Sequence, residues 1–292
     1  RDPEMSRGLG DVYKRQVNDY VDTLAHNRAI QMLVVSASTD KLFMSTMSNS
    51  TVMICLFGII FGNYAAFSSY SQITSIPIAL ISILLMNKIA RQMGQKASMM
   101  AGTYGGIIGS IIITLFLVFV NPRGDASKFA IPAFRIIRPD TWGTLFTGWS
   151  AVGLIFILLV IAWRGVQALS SSIVITMTAD CADYEVYRTG KYVPGLMGTL
   201  FSFVDKLVSS FAPMVAGVMF SMCGYTDHNP VMGDPVTPGL RGGVVFCAYG
   251  MIMIGLVCNL IAMKFYPLTK EKMEEIQDEV AQIKMKAMAE NA

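Results

Sequence analysis

The chain has 292 residues, of which 53% are apolar and only 15% are charged, and its mean hydropathy is +0.50. Soluble domains carry about 25% charged residues, so this composition excludes an ordinary soluble enzyme and predicts a membrane protein. The net charge of +3 is small, and the positive residues lie mostly between apolar runs, which argues against a nucleic-acid-binding surface. The five cysteines form no CxxC pair and have no histidine at ligand spacing, so we expect neither a metal site nor a disulfide framework.

Six apolar runs are long enough to cross a bilayer, because a helix needs about 20 residues to pass through about 30 Å of hydrocarbon. They occupy residues 29–61, 70–89, 97–120, 149–179, 197–222 and 243–266. The sequence therefore predicts an all-α, polytopic membrane protein. An even number of spans places both termini on the same side.

The two ends of the chain differ in composition from this bundle, which occupies residues 29–266. Residues 1–16 show no apolar periodicity and are interpreted as a non-native or disordered leader, with a short basic arm as the alternative. Residues 17–28 lead into the first span. Residues 267–292 mix Glu and Lys with spaced Ile, Met and Val, which predicts a short amphipathic helix on the cytoplasmic surface, interpreted mainly as a solvated extension.

The distribution of lysine and arginine indicates an orientation, because cytoplasmic links are enriched in these residues. Positive residues occur in the link at 87–96, just after Asp180 and along the tail, which predicts that these segments and both termini are cytoplasmic. The link at 121–141 opposes this assignment, since its positive residues then lie outside. Three segments outweigh this one link.

The stretch "TADCADYEVYRTGKY" carries two aspartates, Asp180 and Asp183, at the end of the fourth apolar run. They share one helix face if the helix extends that far. Anions near a helix C-terminus are disfavoured by about 0.3 to 1 kcal/mol each, so helix stability does not explain them. We expect them to pair with Arg188 and Lys191 or with cations on another helix bundle. A solvated loop cap is the alternative.

Lys206 lies within the fifth apolar run, where a charge costs at least about 2.5 to 3.5 kcal/mol unless it faces water or an anion. Small and polar residues recur around it at steps of three and four. These residues are Thr199, Ser202, Lys206, Ser209, Pro213 and Gly217. This stripe predicts a helix face along an aqueous cavity, with close helix packing and a snorkelling lysine as the alternative.

Two further runs contain charged residues at membrane depth. Asp40 and Lys41 interrupt the first run among many Ser and Thr residues, and Arg164 and Gln167 lie in the fourth. Arg164 is about 24 Å along the helix from Asp180 at 1.5 Å per residue. Polar groups on three helices predict a shared hydrated interior. Trp163, next to Arg164, is interpreted mainly as a packing residue, with stacking against a ligand as the alternative.

A longer pattern covers the motif and the fifth run. "MTADCADYEVYRTGKYVPGLMGTLFSFVDKLVSSFAPMVAGVMFSMCGY" contains A-D-x-x-D-Y-x-x-x-x-T-G followed by a glycine and then by Lys206. It resembles the segment between the tenth and eleventh helices of the glycoside, pentoside and hexuronide:cation symporters, the melibiose-permease-like branch of the major facilitator superfamily. "LAHNRAIQML" resembles the exit from the family's central cytoplasmic loop into its seventh helix, which makes residues 17–28 the end of that loop. "NKIARQMGQK" resembles the link between its eighth and ninth helices, and "FYPLTKEKMEEIQDEVA" resembles the end of its twelfth helix and the start of its tail. The resemblance runs from about Val17 to the C-terminus.

This resemblance implies the C-terminal six-helix bundle of a twelve-helix transporter, not an enzyme. It implies import of a sugar or glycoside together with a cation by alternating access, in a bacterial-type inner membrane. No cofactor is implied. The coupling cation, sodium or a proton, is expected mostly in the N-terminal six-helix bundle, which we expect to be the missing partner of this chain.

The resemblance also implies roles for particular residues. Lys206 matches a lysine that faces the central cavity and interacts with the acidic cation site of the other bundle. Asp180 and Asp183 match acids of a cytoplasmic gate, with Arg188 and Lys191 as further members. Ser202 joins Lys206 through the polar stripe. The remaining cavity candidates are predicted from depth and polarity alone, and they are Asp40, Lys41, Arg164 and Gln167.

Two other classes of protein remain as alternatives. An intramembrane transferase can bind a magnesium-bridged diphosphate through a DxxD motif, but such enzymes usually need a second acidic cluster, and none is evident in the sequence. A non-catalytic membrane scaffold is the third interpretation. Buried charges on three spans make a scaffold energetically costly.

Overall fold

The apolar runs fold as helices in a computed structural model, which describes residues 24–121, 125–132, 148–190 and 194–290. Within these ranges no β-strand occurs. The helices are α1 (Arg28–Met47), α2 (Ser50–Ile60), α3 (Tyr64–Met93), α4 (Gln95–Val120), α5 (Ala151–Thr189), α6 (Pro194–Ser210), α7 (Ala212–Met222), α8 (Pro238–Phe265) and α9 (Lys270–Glu290). The last seven residues of α2, Ile54–Ile60, and a segment of α8, Phe246–Gly250, are π-helical.

Five helical segments of the described chain are long and apolar enough to cross a membrane. They are α3, α4, α5, α8 and the stretch Gly198–Met222 that joins α6 to α7. The bent pair of α1 and α2 makes a sixth if it crosses as one span. This confirms the predicted all-α bundle.

The first predicted span is not one continuous helix. α1 and α2 meet at an angle of 52°. α1 ends at Met47, and the backbone N–H of Ser48 donates to the carbonyl oxygen of Met44. The side chain of Asn49 accepts a hydrogen bond from the backbone N–H of Thr51 at 3.0 Å and so caps the start of α2. Short polar side chains of this kind favour helix caps over helix interiors, so the polar run breaks the span.

α5 extends well beyond the predicted boundary at residue 179. It continues through the motif to Thr189 and ends at Gly190, whose φ of +68° is the left-handed conformation that closes many helices. Asp180 and Asp183 therefore lie on one helix, as the spacing predicted. The expectation that both aspartates lie near a helix C-terminus is wrong, because Asp183 and Asp180 lie six and nine residues before the last helical residue, Thr189, and the dipole effect acts only within the last turn.

α4 and α5 approach each other through small residues. Gly102, Gly105 and Gly109 recur on α4 at steps of three and four. A Cβ at Gly109 would lie 2.7 Å from Cδ1 of Trp163, and one at Gly102 would lie 3.3 Å from the backbone nitrogen of Ser170. Small residues of this kind allow close contact between membrane helices.

Large apolar side chains cover much of the outside of the bundle. Ile108, Phe119 and Leu84, for example, are 58%, 76% and 72% exposed. A water-soluble protein rarely carries so much exposed apolar surface. We interpret this surface as the face that contacts lipid.

Two buried clusters hold the ends of the bundle together. At the end that contains residues 125–132, here called the link end, the ring of Phe61 lies 4.5 Å from that of Phe129 and 4.6 Å from that of Phe156, measured between centroids. At the opposite end, here called the tail end, the core includes Ile30 and Met177. The ends of α1, α5 and α8 thus meet beside the tail helix.

The tail helix α9 packs against α5 rather than standing free. Met273, Ile276 and Val280 form its buried face, and Ile276 is 0% exposed. The ammonium group of Lys272 lies 5.5 Å from the centre of the Tyr187 ring. The amphipathic pattern was correctly recognised, but the interpretation as a mainly solvated extension was wrong, because its apolar face completes the core.

Two positive residues of the link end are used for helix capping. Arg241 donates from Nη2 to the carbonyl oxygen of Leu117 at 2.8 Å, and Lys128 donates to that of Val120 at 3.2 Å. Cations at a helix C-terminus compensate its partial negative charge. Lys128 belongs to the link at 121–141, so this capping role accounts for part of the positive charge that opposed the predicted orientation.

Candidate functional site

Two neighbouring hollows open along α1 and α5. The first, here called the lysine cavity, has a volume of about 290 Å³ and lies between α1, α5 and α6. The second, here called the arginine cavity, has a volume of about 280 Å³ and lies between α1, α3 and α5. Both therefore use the same two helices as walls.

The lysine cavity contains two of the predicted residues, Ser202 and Lys206. Asp205 lines it as well and accepts an ion pair from Lys41 at 3.0 Å, which connects α6 to α1. The two side chains of this pair are 41% and 48% exposed. In the described part of the chain, Lys206 has no carboxylate within 4.0 Å.

The arginine cavity brings together the other predicted membrane-depth residues, Asp40, Arg164 and Gln167. Asp40 accepts a hydrogen bond at 3.0 Å from Nδ2 of Asn259, a fully buried residue of α8. Arg164 donates from Nη1 to the carbonyl oxygen of Ser71 at 3.0 Å. α1 and α5 thus supply ionisable or amide groups to one hollow, and α8 supplies the amide that binds Asp40.

Trp163 lines one side of the arginine cavity but is mainly a packing residue. Its indole N–H donates to Oγ of Ser110 at 2.9 Å and to the carbonyl oxygen of Gly106 at 3.2 Å. Its ring meets that of Tyr249 edge to face, with 5.5 Å between centroids. These contacts agree with the interpretation of this tryptophan as packing.

The tail end holds the predicted gate residues. Asp180 is buried, and the side chain of Gln95 lies beside its carboxylate. Arg188 forms an ion pair with a different acid, Glu185, at 2.8 Å. Glu185 also accepts a hydrogen bond from Nδ2 of Asn27 at 2.7 Å. Among the described residues, the carboxylate in ion-pair contact with Arg188 is that of Glu185, rather than that of Asp180 or Asp183.

The remaining gate candidates are less defined. Asp183 lies on the same helix one turn beyond Asp180, and Lys191 lies outside the described residues. The phenol of Tyr266 lies 3.6 Å from the sulfur of Cys181, the residue that follows Asp180. The backbone carbonyl of Tyr266 accepts a hydrogen bond from Lys96 at 2.6 Å.

Sequence reasoning missed Asp205, Glu185, Asn27 and Asn259. Asp205 and Asn259 interrupt apolar runs, so the depth argument that selected Lys206 would have selected them too. Glu185 stands three residues before Arg188, a spacing that allows helix ion pairs. Asn27 carries the signal of a helix N-cap, and its side-chain oxygen accepts from the backbone N–H of Ile30. Its contact with Glu185 has no local signal, because the two residues are distant in sequence.

The polar stripe predicted on the fifth span lies on an uncovered surface. Thr199, Ser202, Lys206, Pro213 and Gly217 are all exposed. Among the described residues, no group of three or more His, Cys, Asp or Glu side chains is arranged to hold a metal ion. Helices of membrane-crossing length, an exposed polar face and charged side chains in hollows between the helices are typical of membrane transport proteins.

Comparison with known proteins agrees with this class. The model of the family described as MFS/sugar transport protein matches residues 11–270, so the chain belongs to that family. This confirms the resemblance noted in the sequence.

Three relatives are described as carriers or importers. The glucuronide carrier protein homolog of Escherichia coli K12 is 29% identical over 54% of this chain and 33% of its own length. The putative sulfoquinovose importer of Salmonella typhimurium LT2 is 27% identical over 47% of this chain and 28% of its own length. The protein of the same description in Escherichia coli K12 is 26% identical over 76% of this chain and 39% of its own length. The matched segments thus span about a third of these relatives.

Proposed function

We propose that this chain forms the C-terminal bundle of a secondary carrier that imports a sugar or glycoside together with a cation. In this proposal the uncovered wall of α1, α5 and α6 faces a second six-helix bundle across a hydrated cleft. Substrate binds near the bilayer midplane, and the two bundles rock around it. The tail end is cytoplasmic, as the positive residues predict, in an inner membrane of bacterial type.

The observation that carries this proposal is the ion pair between Lys41 and Asp205 beside Lys206. Charged groups at this depth are costly when they face lipid, so they favour a water-filled cleft. The pair leaves Lys206 without a carboxylate in the described part of the chain. A carboxylate of the opposite bundle can pair with Lys206. A cation that competes for that carboxylate would then change the relative stability of the states in which the carrier opens to either side.

The hollows also suit the chemistry of a sugar. A sugar offers many hydroxyl groups and needs hydrogen-bonding side chains around it, because an unpaired polar group in a buried site is costly. Ser202, Thr178 and Ser38 line the lysine cavity, and Gln167 lines the other. The relatives named above are described for a glucuronide and for sulfoquinovose, which supports a sugar or glycoside as the substrate class.

The tail end supplies the gate in this mechanism. Asp183 and Arg188 of α5, with Lys191 beyond them, pair with groups of the opposite bundle when the cytoplasmic side is closed, and the buried Asp180 supports this end of α5 from within its own bundle. These contacts break when that side opens. The bonds of Glu185 to Arg188 and Asn27 stay within this bundle and keep the end of α5 rigid while the gate moves.

The test is uptake by the carrier that contains this chain, reconstituted in liposomes. We expect a panel of radiolabelled glycosides and hexuronides to include a sugar that accumulates under an inward sodium or proton gradient. Lys206→Val should abolish this accumulation while the protein still inserts. Normal accumulation by Lys206→Val, or no gradient-driven uptake of any sugar by the unmodified carrier, would contradict the proposal.

Arg91→Gln provides a matched control. Arg91 is an exposed cation near the end of α3, outside both cavities. Its replacement removes one positive charge without touching the proposed cleft. Uptake should remain close to that of the unmodified carrier.

A further inference from the structure

Arg164 is a cation at mid-depth in α5 with an unusual set of partners. Its hydrogen bond goes to a backbone carbonyl, that of Ser71. Within the described ranges of the chain, no carboxylate lies within 4.0 Å of its guanidinium. Lys41 and Arg188, by contrast, each have an acidic partner. The positive charge of Arg164 is therefore not neutralised by an ion pair within this bundle.

A backbone carbonyl satisfies one donor but supplies no negative charge. The guanidinium has five N–H donors in a planar fork that matches the oxygens of a carboxylate or similar anion. An arginine at the centre of a membrane helix costs at least about 2.5 to 3.5 kcal/mol without such compensation. This cost favours an anion that enters the cavity from outside the chain.

The surrounding cavity has further unused polar groups. Ser170 is 2% exposed and lines the arginine cavity, and its Oγ has no hydrogen-bond partner. Ser48, Ser75 and Gln167 also line it. Its volume of about 280 Å³ is close to the lower limit of small-molecule pockets, about 300 Å³. A compact polar ligand with several hydroxyl groups fits this lining.

Among the residues that the structure describes, Asp40 is the one acidic side chain that lines the same cavity. Its carboxylate accepts the hydrogen bond from Asn259 of α8 and is not within ion-pair distance of Arg164. An incoming anion can thus bind Arg164 without first displacing an internal salt bridge.

We propose that Arg164 binds a negatively charged substituent of the substrate, so that the preferred substrate is an acidic sugar with a carboxylate or sulfonate group. This inference rests on the proposed function, because it assumes that a sugar occupies the cleft. Arg164 is then a specificity-determining residue, and the hydroxyl groups of the cavity hold the sugar ring. Because the guanidinium of Arg164 is planar and presents paired N–H donors, we also expect lysine to replace Arg164 poorly.

Two ligands that differ only in the charged group test the inference. p-Nitrophenyl β-D-glucuronide carries a carboxylate where p-nitrophenyl β-D-glucoside carries a hydroxymethyl group. We expect the reconstituted carrier to bind the glucuronide more tightly, as measured by titration calorimetry. Arg164→Gln should weaken glucuronide binding about 10- to 100-fold and change glucoside binding less than about threefold, the range expected for one charge-assisted interaction. Arg164→Lys should recover part of the loss.

The outcomes separate this inference from the function on which it rests. Tighter binding of the glucoside by the unmodified carrier overturns the inference but leaves sugar transport intact. Equal loss of both ligands in a folded Arg164→Gln protein also overturns it, because the arginine is then structural. Binding of neither ligand, together with no uptake of any sugar in the panel, overturns the proposed function itself. Arg91→Gln is the matched control and should bind both ligands normally.

Discussion

Glu185 shows how one side chain can connect distant parts of this fold. It is buried on α5, where it binds Arg188 three residues along the helix and Asn27 at the start of α1. The first contact can be predicted from spacing. The second cannot, because it depends on how the two helices pack. Sequence reasoning recognised the charged stretch but did not select Glu185 as a partner of Arg188.

Replacement of Glu185 by alanine should destabilise the bundle. It removes the carboxylate that pairs with Arg188 and leaves the amide of Asn27 without this acceptor, which costs about 1 to 3 kcal/mol in the free energy of unfolding. Glu185→Gln should cost less, because its amide oxygen still accepts from Asn27. Denaturant unfolding in bicelles measures both variants.

The matched control for this experiment is Glu274→Ala, which removes an exposed acid of α9. Surface substitutions of this type usually change stability by less than about 0.5 kcal/mol. Equal effects of Glu185→Ala and Glu274→Ala would show that the contacts of Glu185 contribute nothing to stability.

At the scale of whole helices, the existence of the spans was predictable and their exact course was not. Apolar runs of sufficient length define α3, α4, α5 and α8, because their side chains must meet lipid or one another. The bend between α1 and α2 depends on whether the Asn49 side chain caps a new helix. The extension of α5 depends on contacts with α9. Hydropathy alone contains neither piece of information.

The close contact between α4 and α5 gives a prediction about glycine. Gly109→Ala places a Cβ 2.7 Å from Cδ1 of Trp163, a rigid neighbour that is itself hydrogen-bonded to Ser110. Overpacking of this kind costs about 1 to 3 kcal/mol. We expect a lower midpoint in thermal unfolding of the reconstituted protein.

Gly217→Ala is the corresponding control on α7. Nothing lies within 4 Å of a Cβ built at Gly217, and alanine favours a helix more than glycine does. Its midpoint should be unchanged or slightly higher. If the two alanine variants behave alike, steric contact between α4 and α5 does not limit the stability of this bundle.

Across the whole molecule, the outside of the bundle and its uncovered wall differ in polarity. Ile108 of α4 belongs to the apolar exterior, whereas Ser202 and Lys206 line a hollow. Sequence patterns predicted a polar face on the fifth span. They could not predict that Asp205 would pair with Lys41, because that contact requires the relative rotation of α1 and α6.

This difference in polarity can be measured by cysteine labelling. In a variant whose native cysteines have been replaced, Ser202→Cys should react readily with a water-soluble thiol reagent, since a thiolate forms only where water solvates it. Ile108→Cys should react about tenfold more slowly in the same liposomes, because lipid surrounds it. Equal labelling rates would contradict a hydrated wall on α6.

The position of α9 has a consequence for biosynthesis. This helix follows every other described helix in the chain, so it leaves the ribosome after them, at about 5 to 20 residues per second. Until Ile276 and Val280 emerge, the apolar surface that they cover on α5 stays open to water and to chaperones. The tail end is therefore completed late in synthesis. A nascent chain that stops before Lys270 leaves this apolar surface exposed to quality-control proteases.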